Sequence, residues 1–361
     1  MNIAFFITSH GFGHAARSSA IIAAMNEKIE NLHFELFTET PSWFFENSYL
    51  TNFGYHSIKN DIGLVQKTPI HEDLEKTIEA LDQFYPLDED LINQTSEQLK
   101  QNQCKLVLCD ISPLGIAAAK RAGIPSILIE NFTWDWIYEG YSEQQSRLSL
   151  YINYLKELFE AVDFRIQTEP ICSPGKADCA VPPISRKHRQ SKNSLQSSLG
   201  IVGDKPVVMI SLGGIPVVYP FIEQLKDFQE FHFLLPGGTE SLKFNQNLTL
   251  FPFKSDLYHP DLVHASDVLI GKVGYSTLAE VYGEGIPFGY IERPHFRESK
   301  IMSKFIQKRM SGFSISEVEF MNGNWLANLK KNIQKTTKRK NLNPNGANVV
   351  AEFCCKLLTT L

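Results

Sequence analysis

His14 and Arg17 stand in the most chemically loaded stretch of this chain, Ser9-His10-Gly11-Phe12-Gly13-His14-Ala15-Ala16-Arg17, directly after the apolar run Ile3–Ile7. A histidine where a strand end meets a helix start faces the carboxyl edge of a parallel sheet, the edge at which open α/β sheets bind ligands. Its ordinary pKa of about 6.5 suits a general base, and a nearby helix N-terminus favours the neutral, proton-accepting ring. The same imidazole can instead cap the helix or bond backbone in a tight turn. His10 reads as structural. Asp110 closes the apolar run Lys105–Asp110. It can orient His14, contact substrate, or cap the helix that opens after Ser112-Pro113.

A second set lies in the other half of the chain. Ser211-Leu212-Gly213-Gly214 follows the buried-strand pattern Pro206–Leu212, and Gly271–Pro294 follows Asp267–Ile270. Glycines at strand-to-helix turns let backbone approach a ligand, and the helix N-terminus offers N–H groups to an anion. Gly213, Gly214, Gly274, Tyr275, Ser276 and Thr277 are therefore candidate phosphate contacts. Thr277-Leu278-Ala279-Glu280 admits two readings, a capping box or a carboxylate that accepts a ribose diol. Two such turns, one in each half, suggest a ligand held between two α/β domains.

The first turn also fits the pattern of a dinucleotide site. Gly11-x-Gly13-x-x-Ala16 satisfies the glycine pattern after a strand, and Glu39 lies about 20 residues on, where a ribose acid is expected. That reading places His14 and Arg17 awkwardly in the turn and leaves the second glycine cluster without a role.

The elements that would hold these residues alternate between apolar strand-length runs and amphipathic helix-length segments, the pattern of parallel α/β architecture. Strands are expected at Ile3–Ile7, His33–Thr38, Leu106–Asp110, Ser126–Glu130 and Phe164–Thr168. In the second half they are expected at Pro206–Leu212, Phe231–Leu235, Leu248–Pro252, Asp267–Ile270 and Phe288–Ile291. Helices fit Ala15–Glu27, Glu72–Phe84, Leu87–Gln101, Pro113–Ala122, Arg147–Ala161, Thr277–Tyr282 and Ala347–Leu358. After Pro182-Pro183 a polar run reads as a linker into a short helix. The expected domains are 1–185 and 195–340, with the helix of 345–361 packing back on the first.

At 361 residues the chain suits two cores, and 43% hydrophobic with 21% charged residues is an ordinary globular balance. A net charge of −5 argues against a nucleic-acid partner. The short basic run Lys335–Lys340 reads as a solvated helix end. No run approaches the ~20 apolar residues of a membrane span, and no signal-peptide pattern opens the chain. The six cysteines lack metal spacing and read as reduced and mostly buried, hence a cytoplasmic location, with a Cys172–Cys179 loop disulfide as the minor alternative. Asp88-Glu89-Asp90 opens a helix far from the nucleotide signals and suits its dipole, so no metal and no cofactor are expected.

The set Gly13–Arg17 with His14, Ser211–Gly214, Gly274-x-x-Thr277-x-x-Glu280, Gly285-x-Pro287 and Pro294 resembles the GT-B glycosyltransferase superfamily. That superfamily includes the enzyme that adds N-acetylglucosamine to the lipid-linked peptidoglycan precursor, whose first turn carries more glycines than the one here. A fuller resemblance runs through His10–Arg17, Asp110-Ile111-Ser112-Pro113, Asn131–Tyr138 and Gly271–Glu280. It points to the glycosyltransferase-like N-terminal region of plant L-arabinokinase and its bacterial stand-alone relatives. No P-loop is present, so kinase activity is not carried over. Gly-x-Gly-His-x-x-Arg also resembles nucleotide-sugar hydrolases of nonulosonate biosynthesis, in which the same fold delivers water.

The resemblance implies two Rossmann-like domains facing across a cleft. It implies glycosyl transfer from a nucleotide sugar, most simply a UDP-sugar, to an unidentified hydroxyl acceptor. Glu280 would take the ribose, and Glu298 would approach the donor sugar. Gly11, Gly13, Arg17, Asn131 and Trp134 would lie on the acceptor side, and the indoles of Trp134–Tyr141 can stack on a sugar or pack as core. A hydrolase releasing free sugar and a non-catalytic nucleotide-sugar sensor are the alternatives.

Overall fold

The computed structural model describes residues 1–360 except 49, 69, 202, 214–218, 253–257 and 337–342. Two compact units emerge: Met1–Ser185 with His295–Glu298 and Asn345–Leu361, and Arg186–Pro294 with Ser299–Pro344.

The first unit is built on seven strands, β1 (Asn2–Ile7), β2 (His33–Phe37), β3 (Phe53–His56), β4 (Cys104–Asp110), β5 (Ser126–Glu130), β6 (Phe164–Thr168) and β7 (Cys179–Val181). They are all parallel, in the order β3-β2-β1-β4-β5-β6-β7. From β1 the chain winds outward through β2 and β3; from β4 it winds the other way. The winding therefore reverses between β1 and β4, and the loops leaving those two strands diverge there to open a crevice. Both strands are apolar on both faces, as a parallel sheet covered by helices requires. One cover is the Phe12–Asn26 helix, and Val350, Ala351 and Cys354 of the C-terminal helix Gly346–Leu358 join the same core.

The second unit repeats this plan with β8 (Val207–Ser211), β9 (His232–Thr239), β10 (Lys243–Asn245), β11 (Leu248–Pro252), β12 (Val268–Lys272), β13 (Phe288–Ile291) and β14 (Gly312–Ser314). The order is β10-β11-β9-β8-β12-β13-β14, parallel except for β10, which pairs antiparallel with β11. Here the winding reverses between β8 and β12. Those strands run so close that a Cβ on Gly271 would lie 2.1 Å from the Ser211 carbonyl oxygen, so β12 needs glycine there.

Several local expectations are corrected. The first helix begins at Phe12, not Ala15, because Gly11 at φ +74° supplies the turn before it; His14 thus lies inside the first helical turn. The helix read as Thr277–Tyr282 begins at Tyr275 with Gly274 as its N-cap residue, so Thr277 caps nothing and a Thr277/Glu280 capping box is excluded. Strands β3, β7, β10 and β14 are three or four residues long and carry too little apolar pattern to be read. Cys172 and Cys179 are both free thiols. Most of the basic run Lys335–Lys340 lies outside the described residues. Among the described residues no helix is long and apolar enough to cross a membrane.

Candidate functional site

In the first unit the reversal between β1 and β4 brings His14, Arg17 and Asp110 together. Asp110 ends β4 with its side chain fully buried. A bare carboxylate there would be costly, and the neighbours meet that cost with hydrogen bonds. Arg17 grips it in a bidentate fork, Nε to Oδ2 at 2.7 Å and a terminal nitrogen to Oδ1 at 2.6 Å. His14 Nδ1 lies 2.7 Å from Oδ1, and the Ser18 hydroxyl donates to Oδ2 at 3.4 Å. Burial pushes the Asp110 carboxyl upward, but the charges and hydrogen bonds of Arg17 and His14 prevail and hold it below the usual carboxylate range. Ser112, not Asp110, caps the following helix through the Gly115 N–H. The capping alternative for Asp110 therefore falls away. The next residue, Ile111, is held at φ +47°, a strained value for a β-branched side chain that costs ~1–3 kcal/mol and is characteristic of functional sites.

This arrangement sets the state of His14. An anionic carboxylate at hydrogen-bond distance assigns the proton to Nδ1, which leaves the Nε2 lone pair as the acceptor. The 3.2 Å approach of an Arg17 nitrogen to Nδ1 is then a consequence of both groups serving one carboxylate. Burial dominates the titration of the ring and outweighs the upward pull of Asp110, so the pKa falls below 6.5. With the folded value below the unfolded one, acidification protonates the unfolded chain first. The stability this group contributes is present above about pH 6.5 and is lost as pH falls through the folded value.

The network continues through buried groups. Arg17 donates to Asn131 Oδ1 at 2.8 Å, and Asn131 Nδ2 donates to Glu298 Oε1 at 2.6 Å. Glu298, expected with the donor residues, thus belongs to the first unit and to the His14 network. Gly11 and Gly13 form the start of the helix, with no side chain capping it. Trp134 is corrected: its indole is completely buried, stacked against Tyr138 and edge-on to Phe132, and offers no face to a sugar. Its Nε1–H donates instead to Asp61 Oδ2 at 2.7 Å. Tyr138 and Tyr141 are buried with it.

Asp61 was missed by the sequence reading. Burial, opposed by hydrogen bonds from Thr8 and Trp134 and aided by the nearby carboxylates of Asp110 and Glu39, raises its pKa to about 7. It sits in a loop, where neither periodicity nor motif marks it.

In the second unit, Ser211 ends β8 and Gly213 follows it, and Gly274, Tyr275, Ser276 and Thr277 follow β12, beside each other at the second reversal point. The Gly213 N–H bonds the Ser211 hydroxyl at 3.4 Å. Gly214 lies outside the described residues. The Tyr275–Glu284 helix has no side-chain cap and no acid in its first turn, leaving the positive end of its dipole without a local carboxylate. Among the described residues no partner bonds the Thr277 hydroxyl.

Glu280, in the second turn of that helix, is buried and held from both sides. Arg186 donates to Oε1 at 3.3 and 3.0 Å, and His259 Nδ1 lies 2.7 Å from Oε2. Burial raises this carboxyl, while the Arg186 and His259 charges overcome it and keep it below its ordinary value. A carboxylate offers about four lone-pair positions. Three are filled, which leaves one position on Oε2. Tyr258 packs against the guanidinium groups of Arg186 and Arg189, 5.1 and 4.0 Å from its ring centre. Asp261 accepts the Arg189 and Gln190 backbone N–H groups. Neither Arg186 nor His259 was tied to Glu280 from sequence, because Arg186 lies in what reads as a polar linker.

Solved structures share this architecture along nearly their whole length. A UDP-glucosyltransferase from Polygonum tinctorium superposes with a TM-score of 0.62, covering 99% of this chain and 98% of that one at 12% identity. MurG of Acinetobacter baumannii gives 0.56, covering 98% and 99% at 15% identity. The fold is that of the GT-B glycosyltransferases. At these identities the likeness is one of fold. In sequence, the chain is 27% identical to L-arabinokinase of Arabidopsis thaliana over 336 residues, 91% of this chain but 32% of that protein. It spans about a third of that relative. No family model matches the chain. Within the GT-B fold, both glycine-bearing turns fall at the reversal points of their sheets.

Replacing Asp110 by Asn tests the first-unit network. The Arg17 guanidinium, 1% exposed, loses its counter-ion. Breaking such a buried pair costs about 3–5 kcal/mol, which a denaturant midpoint will register. A loss below about 1 kcal/mol contradicts the account.

Proposed function

We propose that the protein is a glycosyltransferase that moves a sugar from a nucleotide sugar, taken to be a UDP-sugar, to a hydroxyl acceptor with His14 as base. The observation that carries this reading is the His14–Asp110 pair, 2.7 Å apart, at the β1/β4 reversal of a GT-B fold. Nε2 of His14 would take the proton from the attacking hydroxyl as it bonds to the anomeric carbon. Asp110 would hold the ring in the accepting tautomer and stabilise the imidazolium that forms, as the carboxylate does in a hydrolytic triad. The leaving nucleoside diphosphate would collect its charge at the uncapped N-terminus of the Tyr275–Glu284 helix and at the Gly213 and Gly214 backbone. Such donors stabilise charge without a metal, and Asp88 is already engaged in capping the Glu89–Gln101 helix. No metal and no cofactor are assigned to this step.

The donor side is better tested at Thr277 than at Glu280. Glu280→Gln would weaken the hold on the buried Arg186, so lost nucleotide affinity could follow from damage to folding. Thr277→Val is cleaner, because among the described residues the hydroxyl has no partner to lose. A hydrogen bond to a charged group is worth about 1.5–3 kcal/mol. UDP affinity measured by calorimetry should fall ~10–100-fold with an unchanged melting temperature. Unchanged affinity removes Thr277 from the site.

For the base, His14→Ala should lower turnover with nucleotide sugar and acceptor by ~10²–10⁴ while leaving UDP affinity intact. Analysis of products settles which acceptor is used. Free sugar appearing with no acceptor present identifies a hydrolase, and an unchanged donor at saturating enzyme identifies a sensor. An equal loss of binding and turnover in His14→Ala makes the histidine a ligand contact instead of a base.

A further inference from the structure

Three side chains outside the proposed transfer chemistry converge in the second unit. His188 comes from the extended segment after Ser185, His264 from the last turn of the His259–Ala265 helix, and Glu284 from the last turn of the Tyr275–Glu284 helix. Glu284 lies 96 residues from His188 and 20 from His264 in sequence. Its carboxylate receives one imidazole at each oxygen, His188 Nδ1 at 2.6 Å from Oε1 and His264 Nδ1 at 2.7 Å from Oε2. The rings stack in parallel, centroids 3.5 Å apart and planes 12° apart, so their Nδ1 lone pairs run side by side and one ring must rotate for both to meet at one point. All three donor atoms lie within 4.8 Å of one another.

We propose that His188, His264 and Glu284 form a binding site for a divalent transition-metal ion, Zn2+ by donor chemistry. Two imidazole nitrogens and one carboxylate oxygen are a borderline-soft set that suits Zn2+ far better than Mg2+ or Ca2+, which take oxygen ligands. Tetrahedral ligands at ~2.0–2.2 Å from Zn2+ stand about 3.3 Å apart. The Nδ1–oxygen separations of 2.6 and 2.7 Å must therefore open by about 0.6–0.7 Å, and the carboxylate must turn so that one oxygen faces the ion. To coordinate through Nδ1, each ring carries its proton on Nε2. The histidine side chains are 32% and 24% exposed, which gives the ion a path in and leaves the fourth position to water.

The ion has a defined mechanical effect. Glu280 and Glu284 are one turn apart on a single helix. The first holds Arg186 and His259; the second holds His188 and His264. These are two rungs joining the same three elements, the 186–190 segment and the two helices. A metal in the second rung replaces hydrogen bonds with coordinate bonds and ties the segment down beside Arg186.

The test uses the full chain, stripped with a chelator and titrated with Co2+ as a spectroscopic stand-in for Zn2+. Wild-type protein should develop visible d–d absorption that saturates at one equivalent and is abolished by Zn2+. His188 lies outside any helix, so His188→Ala leaves the fold in place. It should lower Co2+ affinity by more than ~100-fold, beyond the 10–100-fold lost when only a group supporting a ligand is removed. Hydrogen exchange on the wild type gives a readout independent of any variant: Zn2+ should slow exchange within residues 186–190. Absence of the absorption, equal titrations of wild type and His188→Ala, or Zn2+ binding without protection of that segment each overturns the proposal.

Discussion

The Asp110 carboxylate is the constraint around which the first unit is organised. It is completely buried at the end of a central strand, and a charge in that position persists only with partners that are themselves fixed. Arg17 supplies the balancing charge, and the stretch that positions Arg17 also carries His14 onto the same oxygen. The Phe12–Asn26 helix must therefore start where it does, which is why Gly11 adopts a left-handed φ and why no side chain caps the turn. The network then extends through Asn131 to Glu298, drawing a segment from the far end of the sequence into the same set. Charge satisfaction, rather than apolar packing, specifies the arrangement at this edge of the sheet.

The second unit solves a parallel problem with a different division of labour. Its reversal point presents backbone, Gly213 on one side and the uncapped Gly274–Thr277 turn on the other, where the first presents side chains. Its buried carboxylate, Glu280, lies deeper in the helix and is neutralised by Arg186 and His259. One unit thus displays a poised imidazole and the other a positive helix end, and under the proposed function these serve as base and diphosphate site.

The fold was legible because parallel α/β sheets write themselves as apolar runs. β1, β4, β5, β8 and β13 are buried along all or nearly all their length, and each stood out as such a run. β10 and β14 are three-residue edge strands with little apolar pattern, and they did not. His14, Arg17 and Asp110 could be singled out because each ends or follows a readable strand. The linkage of Glu280 to Arg186 could not, since it joins a helix to a polar run by tertiary contact alone. Asp61, bonded by Trp134 from 73 residues away in sequence, is hidden for the same reason. Trp134 itself misled: an aromatic-rich segment looks the same whether its indoles meet a ligand or close a core.

Burial keeps His14 neutral against the pull of the Asp110 anion, and Asp110 fixes the ring proton on Nδ1, leaving Nε2 free to accept. Nitrogen-15 NMR of the His14 ring, followed as the folded protein is titrated from pH 8 to pH 5, reads tautomer and charge together. A protonated Nδ1 and unprotonated Nε2 persisting below about pH 6.5 is the expected result, because burial lowers the pKa beneath its ordinary value. A ring that protonates above about pH 6.5, or carries its proton on Nε2, contradicts the account.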